Sequence, residues 1–230
     1  MARCVVHIAR PVTDPDRWRF LLDEGEQARA DRFRQAIDTA RFVTGRAVAK
    51  LAIADHLGTK PADVRFRLYC ANCDSAEHGK PVVDGVEFSI AHSGSFVLVA
   101  VTGDIPVGVD VEFVNQRTDV DSLAGSVLSE TERAEFTATG DAARRAAFFT
   151  YWARKEALVK STGLGLSGEL RSVSVTPADA DPGVVSWNGP EKVRLTDLTL
   201  EDYEDGTDYR AALAALTTEE LEVVFQHFAA

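Results

Sequence analysis

Gly108-Val109-Asp110-Val111-Glu112 and, some forty residues on, Trp152-Ala153-Arg154-Lys155-Glu156-Ala157-Leu158-Val159-Lys160 decide how this chain reads. In the first stretch Val107, Val109 and Val111 alternate with Gly108, Asp110 and Glu112, the period of a β-strand with one apolar face. Asp110 and Glu112 then project from the same face, roughly 6.5–7 Å apart at their backbones. The second stretch has the helical period: Phe148, Trp152 and Val159 form an apolar stripe, with Glu156 and Lys160 along its edge. An acid and a base bordering a buried stripe each need a partner. Two acids on one strand face can converge on a hard cation, and Glu156 would complete a Mg²⁺ site built from carboxylates and substrate phosphates. The pattern points to phosphoryl transfer. An ordinary Glu–Lys pair on an exposed helix face is the competing reading of Glu156 and Lys160.

Outward from these stretches, the chain reads as a mixture of helices and strands. Residues 4–9 form a strand, and helices over 16–34 and 39–57 follow, the second ended by Gly58 and Pro61. Val64–Tyr69, Val86–Ala91 and Phe96–Thr102 read as strands, with a tight hairpin at Ser93-Gly94-Ser95. Gly103-Asp104-Ile105-Pro106 is a turn. Ser129, followed three residues later by Glu132, marks a helix start. A long helix covers 141–161 and stops before Gly163-Leu164-Gly165. Strands at Arg171–Val175, Val184–Trp187 and Tyr209–Leu216 and a short final helix over Thr218–Phe228 complete the chain. Helices and strands interleave without βαβ alternation, which favours α+β over a doubly wound sheet. The Gly103–Pro106 turn is the best seam if there are two lobes.

Composition narrows the class. The chain has 230 residues, 45% of them hydrophobic and 27% charged, as in ordinary globular proteins. The net charge of −11 argues against general nucleic-acid binding. From Pro177 to Ala230 there are 12 acidic and three basic residues, whereas Arg117 to Lys160 holds seven of each, so the middle does not repel an acidic partner. No apolar run is long enough to span a bilayer. The start of the chain enters a strand without an apolar signal core, and three cysteines suit a reducing compartment, so a cytoplasmic protein is expected.

Smaller motifs add candidates. His92 stands at a strand end where it could donate to a phosphate oxygen, or serve only the fold. Lys80, in Gly79-Lys80-Pro81, offers a point charge to phosphate. Cys70, Cys73 and His78 have the spacing of part of a zinc site, but no second cysteine pair completes it, and two reduced loop thiols are the simpler reading. The sequence has no Walker A loop, no dinucleotide glycine pattern and no Gly-x-Ser-x-Gly elbow.

The two opening segments, together with Gly79-Lys80-Pro81 and His92-Ser93-Gly94, resemble the 4′-phosphopantetheinyl transferases of the surfactin-synthetase-activating (Sfp) type in order and spacing from about Arg29 to Val175. The resemblance implies a pseudo-symmetric monomer of two similar α+β lobes, with coenzyme A and Mg²⁺ (or Mn²⁺) in the cleft between them. Residues 1–104 would carry the coenzyme A nucleotide contacts, and 105–230 the metal-binding acids and the catalytic lysine. By position, Asp110, Glu112 and Glu156 match the metal-binding acids. Lys160 matches the lysine near the transferred phosphate and pantetheine. Glu132 aligns with a glutamate proposed as proton acceptor, and Glu156 acting through a metal-bound water is the alternative base. Lys80 and His92 match contacts to coenzyme A phosphates, and Arg41 and Arg46 fall in the segment that holds the 3′-phosphate. Ala91 replaces the family's usual Ser, which removes a hydroxyl contact to coenzyme A.

The activity so implied is attack by a carrier-protein serine on the β-phosphate of coenzyme A, giving phosphopantetheinyl-serine and 3′,5′-ADP. The partners would be acyl or peptidyl carrier proteins, with no nucleic acid or membrane involved. Carrier proteins are typically acidic, which makes Arg117, Arg133, Arg144, Arg145, Arg154 and the apolar Phe136 docking candidates. A silent binding module and a Mg²⁺-dependent phosphohydrolase are the rival readings.

Overall fold

In the computed structural model, the described residues are 1–70, 73–163, 170–200, 203 and 205–228, without the side chains of 76–78. Strand β1 (Ala2–Ala9) opens the chain. A 3₁₀ segment (Pro15–Leu21) and helix α1 (Glu24–Ala30) follow, then the 22-residue helix α2 (Ala36–Leu57). The expected single helix over 16–34 is thus two pieces, because Asp23 starts a fresh helix with a capping box closed by Glu26. Gly58, at φ 65°, ends α2 in the left-handed conformation.

The β2–β3 hairpin comes next (Arg67–Cys70, Ser75–Val82), so strand structure begins three residues later than the Val64 start read from sequence. Strands β4 (Glu87–Ser93), β5 (Phe96–Thr102) and β6 (Val107–Phe113) lie where the alternation places them. Helices α3 (Val120–Val127), α4 (Glu130–Ala138) and α5 (Asp141–Thr162) fill the middle, and α4 starts with the Ser129–Glu132 capping box. The remaining strands are β7 (Ser174–Val175), β8 (Val184–Ser186), β9 (Arg194–Leu198), β10 (Tyr209–Ala215) and β11 (Leu221–Phe228).

The last of these corrects the expected helix over Thr218–Phe228. Thr218-Glu219-Glu220 resembles a helix start, but β11 lies parallel to β1 with Val223 opposite Cys4. β-branched and aromatic residues along it favour a pleated surface once a partner strand is there. The chain end therefore returns to the sheet of the first half.

Two larger sheets result, ordered β11-β1-β5-β4 and β6-β10-β9, beside the two-stranded pairs β2-β3 and β7-β8. Helix α2 covers one face of the first, setting Val48, Ala49 and Ile53 against Phe88, Val97 and Val99. Helix α5 covers the outer face of the second, where Phe148, Ala153 and Ala157 meet Ala212 and Ala214. The remaining faces pack on each other: Val6, Ile8 and Leu98 of the first sheet meet Val107, Val109 and Leu213 of the second. Each half therefore lays one long helix over a sheet, and the fold is α+β, as expected. Burial of these apolar faces is what holds the layers together. Among the described residues no helix is long and apolar enough to cross a membrane.

The sheets meet where β4 lies beside β6. Two serine hydroxyls join these edges: Val109 N–H donates to Ser89 Oγ (3.1 Å) and Phe113 N–H to Ser93 Oγ (3.0 Å). Buried backbone donors need partners, and here side chains of one strand serve the other.

Candidate active site

The seam between the two halves is also where the sequence candidates collect. Gly108, Asp110 and Glu112 share one face of β6, and α5 crosses that face directly over Gly108. A Cβ at Gly108 would lie 2.0 Å from Ala157 O and 2.4 Å from Ser161 N, so only glycine admits the helix this closely. The approach brings Lys160 Nζ to 2.6 Å from Asp110 Oδ1. Glu156, one helical turn before Lys160, is buried and interacts with both Lys160 and Asp110. Glu112, half-buried, has Ser93 Oγ at 3.4 Å.

The electrostatics of this cluster are unbalanced. Burial raises the Asp110 carboxyl, and Lys160 offsets only part of that. Glu112 is pushed up to about 8, by burial first and by Asp110 second. Glu156 rises to about 7 through burial, against the pull of Lys160. Lys160 is drawn down by burial, yet Asp110, Glu156 and Glu112 together hold it above its usual range. Asp110 Oδ2 and Glu156 Oε1 are buried without a hydrogen-bond partner. Three carboxylates answered by one ammonium, with two orphaned oxygens, fit a divalent cation of the oxygen-seeking kind. In the arrangement described, Lys160 holds Asp110, and among the described residues no three His, Cys, Asp or Glu side chains are set around one point. That statement also covers Cys70 and Cys73; the side chain of His78 lies outside the described residues.

Basic groups line the first-sheet side of the seam. His92 reaches solvent, and its pKa is lowered by the surrounding protein, then by Lys160 and Arg41. Arg41, on α2, donates from Nε to Gly94 O (2.8 Å) and pairs with Asp38 (3.0 Å). Lys80 Nζ bonds Val107 O (3.2 Å) and Glu87 (3.3 Å), which ties β3 to the start of β6; burial lowers its pKa. Arg46 faces a different cavity, of about 630 Å³, lined by Arg29, Arg32, Phe33, Phe42 and Phe66 among others. Its guanidinium lies over the rings of Phe42 and Phe66, 3.5 Å from Glu26, and its Nη1 is buried without a partner. Lys50, fully buried, claims the other Glu26 oxygen at 2.7 Å. Arg32 and Phe33 begin the segment that the resemblance assigns to the 3′-phosphate, whereas Arg29, Phe42 and Phe66 were not singled out in the sequence.

Several expectations change. Glu132 is not part of the cluster: it is almost wholly buried, accepts from Ser129 N–H (2.8 Å) and Val175 N–H (2.8 Å), and pairs with Lys155. Lys155 in turn donates to Val127 O and Leu170 O. A carboxylate so fully bonded joins α4, α5 and β7, which corrects its reading as proton acceptor. Arg154 is buried, gripping Asp197 with two nitrogens (2.9 and 2.6 Å) and the carbonyls of Thr176, Pro177 and Ala180. Phe136 is buried in the α5 core. Arg145 is engaged by Asn115 O and Thr118 O, and Arg144 by Thr139 O and Asp141. Of the docking candidates, Arg117 and Arg133 stay exposed. Ala91 is buried among the valines between the sheets, so its methyl group serves packing.

Sequence comparison with known proteins places the chain in a family. The profile of the 4′-phosphopantetheinyl transferase superfamily matches residues 106–214, the span that holds β6 and α5. The 4′-phosphopantetheinyl transferase HetI of Nostoc sp. is 30% identical over 165 residues, covering 69% of this chain and 67% of its own length. The chain belongs to the 4′-phosphopantetheinyl transferase superfamily. Within that superfamily the Sfp type extends along nearly all of it: the transferase Sfp of Bacillus subtilis is 26% identical over 221 residues, covering 91% of this chain and 90% of its own. Among solved structures, a holo-(acyl-carrier-protein) synthase from Bacillus anthracis in complex with CoA covers 50% of this chain and 98% of its own, at 19% identity and a TM-score of 0.41.

Proposed function

We propose that this transferase moves 4′-phosphopantetheine from coenzyme A to a serine of an apo acyl or peptidyl carrier protein, releasing 3′,5′-ADP, with Mg²⁺ or Mn²⁺ required. The observation that carries this reading is the cluster of Asp110, Glu112 and Glu156, with two orphaned carboxylate oxygens, on the seam beside Lys160. Those three acids would hold the metal, which when bound neutralises charge on the pyrophosphate and on the leaving nucleotide.

The chain's own residues do the rest. Lys160 sets a fixed positive charge on one side of the seam, where a pyrophosphate gains charge as its bridge breaks, and His92, on the other side, offers a ring N–H to bind a phosphate oxygen. Arg41 adds to that field from α2. The cavity of Arg29, Arg32 and Arg46 with Phe42 and Phe66 suits the 3′-phosphoadenosine end, since Arg46 keeps one buried guanidinium nitrogen without a partner beside its pairing with Glu26, and the rings offer stacking. The base for the serine hydroxyl would be Glu156 acting through a water, since its carboxylate would itself be held by the metal. Arg117 and Arg133 are exposed cations that can meet an acidic carrier. Both sides of the seam come from one chain, which supports a monomer as the working unit.

Incubation with coenzyme A, Mg²⁺ and an apo-carrier, followed by mass spectrometry, tests the reading. A gain of one phosphopantetheine on the carrier is expected. Free phosphopantetheine with an unmodified carrier would make the protein a hydrolase, and no reaction across a panel of carriers would make it a silent binding module.

A further inference from the structure

The β4–β5 turn, next to His92, is fastened by hydrogen bonds to groups from elsewhere in the fold. Gly94 O accepts from Arg41 of α2, and Ser93 Oγ accepts from Phe113 N–H of β6. The third fastening comes from β10: Ser95 N–H donates to Tyr209 Oη at 2.7 Å, 114 residues away in sequence. Tyr209 is buried, edge-on to Phe96 (centroids 4.7 Å apart) and tilted against Phe113 (5.2 Å). Its hydroxyl sits where a Gly94 side chain would be: a Cβ there would fall 2.1 Å from Tyr209 Oη. Gly94 has φ 53°, so the turn needs glycine on both counts. The Ser95 side chain also reaches Asp205, which pairs with Arg10 at 2.9 and 2.5 Å.

We propose that Tyr209 is a positioning residue for the transfer reaction: its hydroxyl, acting through the Gly94-Ser95 turn, fixes where His92 stands relative to the acids of β6. The physical reason is that β4 and β6 share no backbone ladder, so their spacing at this end depends on side-chain fastenings. Ser93 and Arg41 hold the turn from β6 and from the first half. Only Tyr209 holds it from β10, the central strand of the second sheet, which is hydrogen-bonded to β6 along its whole length. Removing the hydroxyl leaves the ring packing in place and frees one donor of the turn. His92 then samples more positions, and binding of the pyrophosphate weakens while the acids of β6 stay where they are.

This inference rests on His92 being a coenzyme A contact, and the test separates the two. The steady-state parameters of wild type, Tyr209→Phe, His92→Ala and the double variant are measured with saturating carrier and Mg²⁺. Tyr209→Phe keeps its contacts with Phe96 and Phe113, and kcat at saturating coenzyme A reports the folded fraction. The expected result is a rise of roughly tenfold or less in KM for coenzyme A, the scale of one hydrogen bond, with kcat and the KM for carrier unchanged. In the His92→Ala background the same substitution should change KM by less than about twofold, because coupled residues are not additive. Equal factors in both backgrounds, or no effect of Tyr209→Phe in the wild type, would overturn the positioning role. A normal KM in His92→Ala alone would instead overturn the assignment of His92.

Discussion

Gly108→Ala is the smallest change that should separate fold from activity. The added Cβ would sit 2.0 Å from Ala157 O and 2.4 Å from Ser161 N, both backbone atoms that cannot rotate away. Ordinary contact begins near 3.4 Å, so α5 must retreat from β6 by about 1.4 Å, and close-packed interiors have no slack to absorb that. Lys160 and Asp110, now 2.6 Å apart, would open to about 4 Å, beyond hydrogen-bond range. Overpacking of this kind costs about 1–3 kcal/mol, which the surrounding apolar layers can bear, so Tm should drop by several degrees only. Activity is more sensitive, because a misplacement of about 1 Å in catalytic groups costs about 100-fold in rate. The assay is the rate of phosphopantetheine gain on an apo-carrier by mass spectrometry, beside a melting curve. A folded variant that transfers within about twofold of the wild-type rate would refute the argument, since one Cβ displaces every group on α5 by a distance that this reaction should not tolerate.

Three further outcomes follow from the same geometry. Glu132→Gln breaks a buried ion pair and should cost about 3–5 kcal/mol, while the folded enzyme keeps the acid limb of its pH–rate profile; loss of that limb would restore Glu132 as the base. Ala91→Ser places a hydroxyl among Val109 and Val111 and should lower stability by about 1–2 kcal/mol with the KM for coenzyme A within about twofold; a serine that instead tightens coenzyme A would show that position 91 faces the ligand. Without divalent metal, Glu112 and Glu156 titrate near 8 and 7 in the folded chain, above the 4.5 of an unperturbed glutamate. The folded state then binds more protons than the unfolded one, so stability should fall as pH rises from about 5 to 8. Mg²⁺ should flatten that slope, and so should the Glu112→Gln/Glu156→Gln pair. A metal-free Tm that is level or rises over this range would contradict it.

How much of this was legible in the sequence depended on whether the determinant was local. The alternation of Val107–Glu112, the helix of Trp152–Lys160 and the Ser129–Glu132 cap are set by neighbours in sequence, and all three appear as read. Residues 218–228 misled because their strand form depends on β1, which lies at the other end of the chain. Side chains were harder to place than elements. Arg154 and Glu132 looked like free charges because their partners, Asp197, Val175 and Lys155, come from other elements. The motif's glycine acquired its reason only when α5 was seen lying against it. Tyr209 gave no signal, since a tyrosine at a strand start is ordinary until the turn at Gly94 is placed under its hydroxyl.

The central claim is that Asp110, Glu112 and Glu156 act as a single divalent-cation site for the transfer. Mn²⁺ binding counted by electron paramagnetic resonance, on wild type and Glu156→Gln alongside carrier modification, tests it most directly. One tightly held Mn²⁺ per chain is expected in the wild type, with loss of that site and of transfer in the variant. The metal-free variant should melt no lower than wild type, because it exchanges a buried carboxylate with an orphaned oxygen for a neutral amide. Mn²⁺ held equally well by Glu156→Gln, or transfer that proceeds without the metal, would contradict the account.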